Sequence, residues 1–387
     1  YERAARTGGG RFLLLRLGDG AGGDAGTISV DASSLVLNGL KAHGGNGGTA
    51  GSGTTPGIAG SGGKGGDLTL TATTGNLGFE IGSIDAGGGD GAQYVETGGS
   101  GGAGGTIRLS AGAGTLTLGG STSVVGGSGG SGGAGGSAGT ISASGASLIL
   151  SIATLNGYGG SGGQATLSGS RGATGAASII TLSAAGDIAV MGGSYVDAGQ
   201  LSLLAGKSIL FGTAGTSPGD GYLNSNGSPM TLLANWNGST TAPGIGASGQ
   251  CAGGNFCGIS GSGYIKSNYL SGSIANAGDV TLKAPGNIDL SNIAISARGA
   301  SGTFAESGGA GGAISITSTK GNLNTGFIDT GGGDGGAGSV ASAGAGGAGG
   351  AGGRVSLSAG GTFTLGGVTS ASGGNGGQGA DGFLIEY

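Results

Sequence analysis

The amino-acid sequence predicts an all-β parallel β-helix, a solenoid, in which glycine-rich segments of polyglycine-II type stack alongside the coils. A long block repeats, because residues 67–120 return in the same order at 313–367, at an offset of roughly 245 residues. Short apolar segments alternate with Thr, Ser or Ala, which is the period-two pattern of half-buried strands. A glycine-rich run follows most of these segments, and 109 of the 387 residues are glycine.

The predicted coils follow one another in order along the chain. They open at 27–30, 67–72, 106–109, 140–141 and 178–182, and again at 280–283, 313–318 and 354–358. Each unit holds two or three short strands that are divided by Gly or Asn turns. One unit alone cannot bury its apolar face, so stacking on its neighbours must complete the core.

The glycine-rich runs have a Gly-Gly-X spacing, seen most clearly in residues 126–136. A polyproline-II-type helix has about three residues per turn, and glycine lets such helices approach closely. We expect ordered helices that hydrogen-bond laterally beside the β-coils, because the runs recur once per coil. Flexible loops are the alternative, since glycine has the largest ordering entropy.

Composition narrows the class of protein. An ordinary domain has about 25% charged residues, whereas this chain has 9% charged and 4% aromatic residues. Collagen is excluded, because glycine does not occupy strictly every third position and there are only 5 prolines. The net charge of −5 argues against nucleic-acid binding and against docking on anionic membranes. The sequence contains no run of about 20 apolar residues, so no transmembrane helix is predicted.

The spacing and regularity of the repeats predict that the chain is divided into four parts. Residues 1–26 form a partial coil or joint, 27–199 form solenoid repeats, 200–279 form an irregular segment with both cysteines, and 280–387 form repeats that end within a coil. We expect both ends to be cut within a repeat. Because the chain begins at Tyr1, we expect a processed chain or a piece of a longer one.

The two cysteines, Cys251 and Cys257, lie in one short Gly-containing loop. A disulfide between them is predicted, which fits an extracellular, oxidising setting. Free thiols are the alternative, and a metal site would need more Cys or His nearby. The one histidine, His43, is expected on a surface or loop without a catalytic role.

The acidic residues in and beside the glycine runs, among them Asp85 and Asp329, are candidate calcium ligands. Asp90 and Asp334 lie in Gly-Gly-Gly-Asp-Gly segments, but no Asp recurs in successive nonapeptides. We therefore predict no metal site, no cofactor and no catalytic residue, and the sparse acids argue against an enzyme. Asn226 and Asn237 satisfy the short N-glycosylation pattern, which is frequent by chance.

Several motifs resemble the β-helical shafts of filamentous-haemagglutinin-like exoproteins, the secreted partners of two-partner secretion. These motifs are Gly66–Ala72 (GDLTLTA), Gly75–Leu77 (GNL), Gly186–Ile188 (GDI), Gly278–Leu282 (GDVTL) and Gly286–Ile288 (GNI). The resemblance implies a right-handed parallel β-helix, export from a Gram-negative-type cell, and a role in adhesion or extracellular matrix. The dense Gly-Gly-X runs also look like those of glycine-rich PGRS surface proteins.

The functional prediction is a subunit or segment of an extracellular surface fibre that is built by head-to-tail stacking of β-coils. Exposed strand edges are templates for another chain, and heterologous contacts generate open filaments. The predicted assembly residues lie near the two ends: Phe12, Leu13, Leu14, Leu15, Phe383, Leu384 and Ile385. The expected partner is the chain itself, with a host or cell-surface receptor as a second possibility. The alternatives are the shaft of a secreted adhesin and, less favoured, an ice- or surface-binding solenoid carrying Thr69, Thr71 and Thr117.

Overall fold

The computed structural model describes residues 5–7, 12–13, 22–48, 59–79, 82–93, 98–164, 170–212, 220–236, 257–268, 275–338 and 345–378. Every regular element within these ranges is a β-strand. No helix in them is long and apolar enough to cross a membrane.

The strands of the described ranges are short and follow the predicted units. They are β1 Ala5–Thr7, β2 Phe12–Leu13, β3 Ile28–Ala32, β4 Leu35–Val36, β5 Leu40–Lys41, β6 Asp67–Ala72, β7 Leu77–Phe79, β8 Ser83–Asp85, β9 Thr106–Ser110, β10 Thr115–Ser123, β11 Thr140–Gly145, β12 Ser147–Asn156, β13 Ile179–Ala184, β14 Ile188–Val190, β15 Tyr195–Asp197, β16 Gln200–Ala205, β17 Ile209–Phe211, β18 Gly221–Asn224, β19 Met230–Ala234, β20 Ile259–Lys266, β21 Val280–Ala284, β22 Ile288–Ser296, β23 Ile314–Ser318, β24 Leu323–Thr325, β25 Ile328–Asp329, β26 Val355–Ala359, β27 Phe363–Leu365 and β28 Thr369–Ser370.

The chain divides into two compact units, of which the first is Tyr1–Gly206 with Gly215–Pro218. Its coils stack as two parallel sheets. One sheet runs in the order β3-β6-β9-β11-β13-β16. In the other sheet, some coils contribute two short strands in succession and others contribute one long strand. The order from coil to coil is β4 and β5, then β7 and β8, then β10, then β12, then β14 and β15.

The second unit is Lys207–Ala214 with Gly219–Tyr387, and it repeats the arrangement. One parallel sheet contains β19-β21-β23-β26. The other contains β17/β18, β20, β22, β24/β25 and β27/β28. The predicted all-β parallel β-helix is therefore confirmed, while the predicted four-part division stays a prediction.

The core of the first unit consists of columns of like side chains, one residue from each coil. Each of the following residues is at most 1% exposed: Leu68, Ile107, Ile141 and Ile180 in one sheet, and Leu77, Leu116, Leu148 and Ile188 in the other. Full burial of such a side chain contributes about 1.5–3 kcal/mol. The period-two alternation in the sequence thus places apolar side chains on the inner face, and their burial stabilises the stack of coils.

The first strands do not follow the parallel pattern of the coils. Strand β2 pairs antiparallel with β1, and β1 pairs antiparallel with β4. The predicted N-terminal coil or joint therefore contributes an antiparallel strand to the edge of the first coil.

Candidate functional site

The glycine-rich runs form an ordered structure in each unit, which we call the glycine lattice. In the first unit it contains residues 22–26, 42–48, 59–66, 86–93, 98–105, 124–139, 157–164 and 170–178, and in the second 275–278, 297–312, 330–338, 345–353 and 371–378. Within a coil, an outgoing segment leaves the β-strands and a returning segment leads back to them. The prediction of stacked, laterally hydrogen-bonded glycine segments is confirmed.

The two segments of a coil pair with a three-residue step. In the second coil, the backbone N–H groups of Gly99, Gly102 and Gly105 donate to the carbonyl groups of Ala92, Gly89 and Ala86, at 3.0, 2.8 and 2.7 Å. The partners step by three in opposite directions, so the segments are antiparallel. A step of three is the repeat of a polyproline-II-type helix.

The same bonds continue from coil to coil. In the first unit, each N–H donates to the carbonyl of the preceding member, at 2.7–2.9 Å, along the row Gly23, Gly45, Gly63, Gly89, Gly102, Gly127, Gly136, Gly160 and Gly175. In the second unit the row is Ala275, Ala300, Gly309, Gly333, Gly350 and Gly374, at 2.7–3.1 Å. Each lattice is therefore held by backbone groups that cross the stack.

At many inner positions of the lattice, glycine is required because the backbones approach too closely for a side chain. A Cβ at Gly102 would lie well under 3.0 Å from the backbone carbonyl oxygen of Gly63, where no side chain can move aside. At Gly48 a Cβ would meet nothing within 4 Å. The third position of the repeat faces outward, and Ser100 and Ser128, for example, are exposed. The sequence pattern Gly-Gly-X thus separates inner positions from outer ones.

Side-chain oxygens add a second ladder, which the sequence analysis did not predict. Asn46 Oδ1 accepts the N–H of Asp90 at 2.9 Å, and Asp90 Oδ1 accepts the N–H of Ser128 at 2.7 Å. At the turns between strands, Asn287 Oδ1 accepts the N–H of Asn322, and Asn322 Oδ1 accepts that of Thr362, both at 2.8 Å. The available signal was the recurrence of Gly-Asn or Gly-Asp one coil apart, at 45–46 and 89–90 and again at 286–287 and 321–322.

These contacts explain the acidic residues that had suggested calcium. Asp85 Oδ1 accepts the N–H of Gly87 at 2.9 Å, and Asp329 Oδ1 accepts that of Gly331 at 2.8 Å. Asp334 Oδ1 accepts the N–H of Asn375 at 2.7 Å. Within the described ranges, no group of three or more His, Cys, Asp or Glu is placed to hold a metal ion.

One edge of the second unit exposes apolar side chains. Among the described strands, β26, β27 and β28 pair only with β23, β24 and β25. Phe363 and Leu365 are 48% and 53% exposed. Their partners in the preceding coil, Leu323 and Thr325, are fully buried. This outer coil therefore presents core-type positions that no described coil covers.

No family model, curated protein or solved structure matches this chain. The resemblance to filamentous-haemagglutinin-like exoproteins stays a prediction.

Two of the seven predicted assembly residues lie within the described ranges. Phe12 and Leu13 form β2, while Leu14, Leu15, Phe383, Leu384 and Ile385 lie outside the described residues. Cys257 is disulfide-bonded and 1% exposed, and Cys251, the other cysteine of the sequence, lies outside the described residues.

Polar residues singled out in the sequence occupy local positions. His43 is half-buried, and its Nδ1 lies 2.7 Å from the carbonyl oxygen of Gly44. Asn226 Oδ1 accepts a hydrogen bond from Asn224 Nδ2 at 2.9 Å, and Asn237 lies outside the described residues. The threonines weighed for ice binding fall on two sheets, Thr69 and Thr71 on β6 and Thr117 on β10, so they do not form one array.

Proposed function

We propose that the chain is a structural segment of an extracellular surface fibre that grows by end-to-end stacking of β-coils. The observation that carries the proposal is the outer edge formed by β26, β27 and β28. No described strand pairs with its outer side, and such an edge is a template for a further strand of the same kind. The natural complement is another coil, because each inner coil of the unit already meets its neighbour through the same parallel ladder.

Stacking a coil on this edge has a clear driving force. Phe363 and Leu365 would pass from about half exposed to buried, as their partners Leu323 and Thr325 are one coil earlier. Burial of large apolar side chains contributes about 1.5–3 kcal/mol each when it is complete. The heterologous contact does not close on itself, so repetition yields a filament. The disulfide at Cys257 is in keeping with an oxidising, extracellular setting.

A second candidate is the shaft of a secreted adhesin that stays a single rod. It is favoured by the antiparallel strand β1, which already occupies the edge of β4. An edge covered in this way is one of the means by which proteins prevent further strand addition.

Electron microscopy of the purified chain, with helical indexing of any filaments, tests the proposal. We expect filaments whose amount rises with protein concentration. Leu365→Lys should abolish them, because a charge would have to be buried at the contact. The matched control is Ile179→Lys, which changes another half-exposed apolar residue, 49% exposed, in the first unit. Single rods at every concentration would favour the adhesin shaft, and filaments that survive Leu365→Lys would exclude this edge as the contact.

A further inference from the structure

The second unit carries an outward-facing column of large side chains with one gap. Tyr222 on β18 pairs with Tyr264 on β20, and Tyr264 pairs with Ala294 on β22. The next member is Phe327, whose carbonyl accepts the N–H of Ile295 at 2.9 Å. Tyr264 and Phe327 are 41% and 46% exposed. A small residue, Ala294, therefore separates two exposed aromatic side chains.

The gap is an open cavity of about 170 Å³. Besides the column residues Tyr264, Ala294 and Phe327, its lining includes Asp220, Ser291 and Asn292. Neighbouring strands lie about 4.8 Å apart, so the backbones that carry the two aromatic residues are about 9.6 Å apart. Two van der Waals contacts of about 3.5–4.0 Å fill most of that distance. The slot has room for one ring.

The Tyr264 side of the slot is held in place by its neighbours. The ring centroids of Tyr222 and Tyr264 are 6.2 Å apart, and the planes are tilted by 45°. Lys266 Nζ lies 5.2 Å from the Tyr222 centroid and 5.3 Å from the Tyr264 centroid. Cation–π contacts of this kind stabilise a ring position. A side chain fixed before binding loses less entropy when a ligand arrives.

The polar side of the slot offers hydrogen-bonding groups to a ligand rich in hydroxyl groups. Ser291 Oγ donates to Asp289 Oδ1 at 2.8 Å, so its oxygen is oriented to accept from a ligand. The Asn292 amide can donate and accept, and the exposed carboxylate of Asp220 can accept. Asp220 is the one ionisable group besides Tyr264 among the lining residues, so the slot does not match a strongly charged ligand.

We propose that this slot binds one neutral pyranose residue of a polysaccharide. The C–H groups on a pyranose face suit the negative face of an aromatic ring, and the hydroxyl groups at its rim suit Ser291, Asn292 and Asp220. An open slot of this size gives weak binding for one sugar, and many copies along a fibre would add avidity. The proposal does not depend on fibre formation, because the slot lies within one unit.

Saturation-transfer difference NMR on the full chain tests the slot with methyl β-D-glucopyranoside, methyl β-D-galactopyranoside and methyl α-D-mannopyranoside. We expect transfer to the ring C–H protons of at least one glycoside. N-acetyl-tryptophanamide serves as the competing probe, since a planar aromatic side chain of a protein partner would also fit between two rings. Transfer to that probe and to none of the glycosides would overturn the proposal, as would no transfer at all.

Variants then locate the binding. Phe327→Ala removes one side of the slot, and Ala294→Leu fills it while both aromatic residues stay. Each should weaken glycoside binding by at least about tenfold. The matched control is Phe304→Ala, at an aromatic residue 84% exposed outside the slot, and it should bind as the native chain does. Far-UV circular dichroism verifies that each variant is folded. Unchanged binding by folded Ala294→Leu would exclude the slot as the site.

Discussion

The β-coil core and the glycine lattice repeat at the same spacing, yet different forces hold them. The core is built from side chains, with Leu and Ile columns that are fully buried. The lattice interior contains mostly glycine, with a few alanines such as Ala92 and Ala300, and is held by rows of backbone hydrogen bonds of 2.7–3.1 Å. A net hydrogen bond contributes about 0.5–1.5 kcal/mol, against about 1.5–3 kcal/mol for a buried aliphatic side chain. The core therefore contributes more stabilising free energy per residue. The lattice contributes through the large number of its backbone hydrogen bonds.

The largest effect is expected in the core. Leu116→Ala would leave a cavity between Leu77 and Leu148 and should lower the free energy of unfolding by about 3 kcal/mol. Chemical denaturation, followed by circular dichroism, measures it. Thr117→Ala, on the opposite face of the same strand, should cost well under half as much. Equal losses for the two variants would contradict the assignment of the inner face.

The lattice should be nearly as sensitive at an inner position. Gly102→Ala places a methyl group against the Gly63 carbonyl and should cost about 2 kcal/mol, as overpacking does. Hydrogen exchange should rise at the N–H groups of Gly102 and Gly127. Gly48→Ala is the matched control, because its Cβ has open space. If both variants exchange alike, the lattice is not the close-packed structure described.

A smaller effect is expected from the side-chain ladder. Asn322→Ala removes the acceptor of the Thr362 N–H and should cost about 1 kcal/mol. Asn322→Asp keeps an oxygen at the same place and should retain most of the stability. Thermal unfolding of the two variants separates them. Identical transitions would show that the ladder contributes nothing.

The smallest effect concerns pH at a hairpin of the second lattice. The Thr303 hydroxyl, and then its N–H, donate to the Glu306 carboxylate and lower the pKa of Glu306 from its ordinary value of 4.5. The carboxylate contact is therefore complete above the unfolded pKa and is lost as pH falls through the lower, folded pKa. The Thr303 amide resonance should titrate below 4.5. In Glu306→Gln it should stay flat, and a midpoint at or above 4.5 in the native chain would contradict the contact.

The β-helix could be predicted from sequence because burial alternates with a period of two, as in Asp67–Ala72, where Leu68, Leu70 and Ala72 are buried. The lattice could be predicted because Gly-Gly-X is repetitive. The side-chain ladder was harder to predict from sequence. Asn46 accepts a hydrogen bond from a residue one coil away, so the pairing depends on the length of the coil. The slot around Ala294 could not be predicted from sequence, because it depends on the register of β20, β22 and the segment that leads into β25.

The three-residue step of the lattice gives the glycine runs a phase. Inserting one residue inside a segment would rotate every later position by a third of a turn. Outer residues such as Ser100 would then point inward, and inner ones such as Gly102 outward. Three inserted residues would restore the pattern. The lengths of the glycine segments should therefore vary in multiples of three residues. The rule does not apply to the tight turn at Ser131-Gly132, where Gly132 has a φ of 71°.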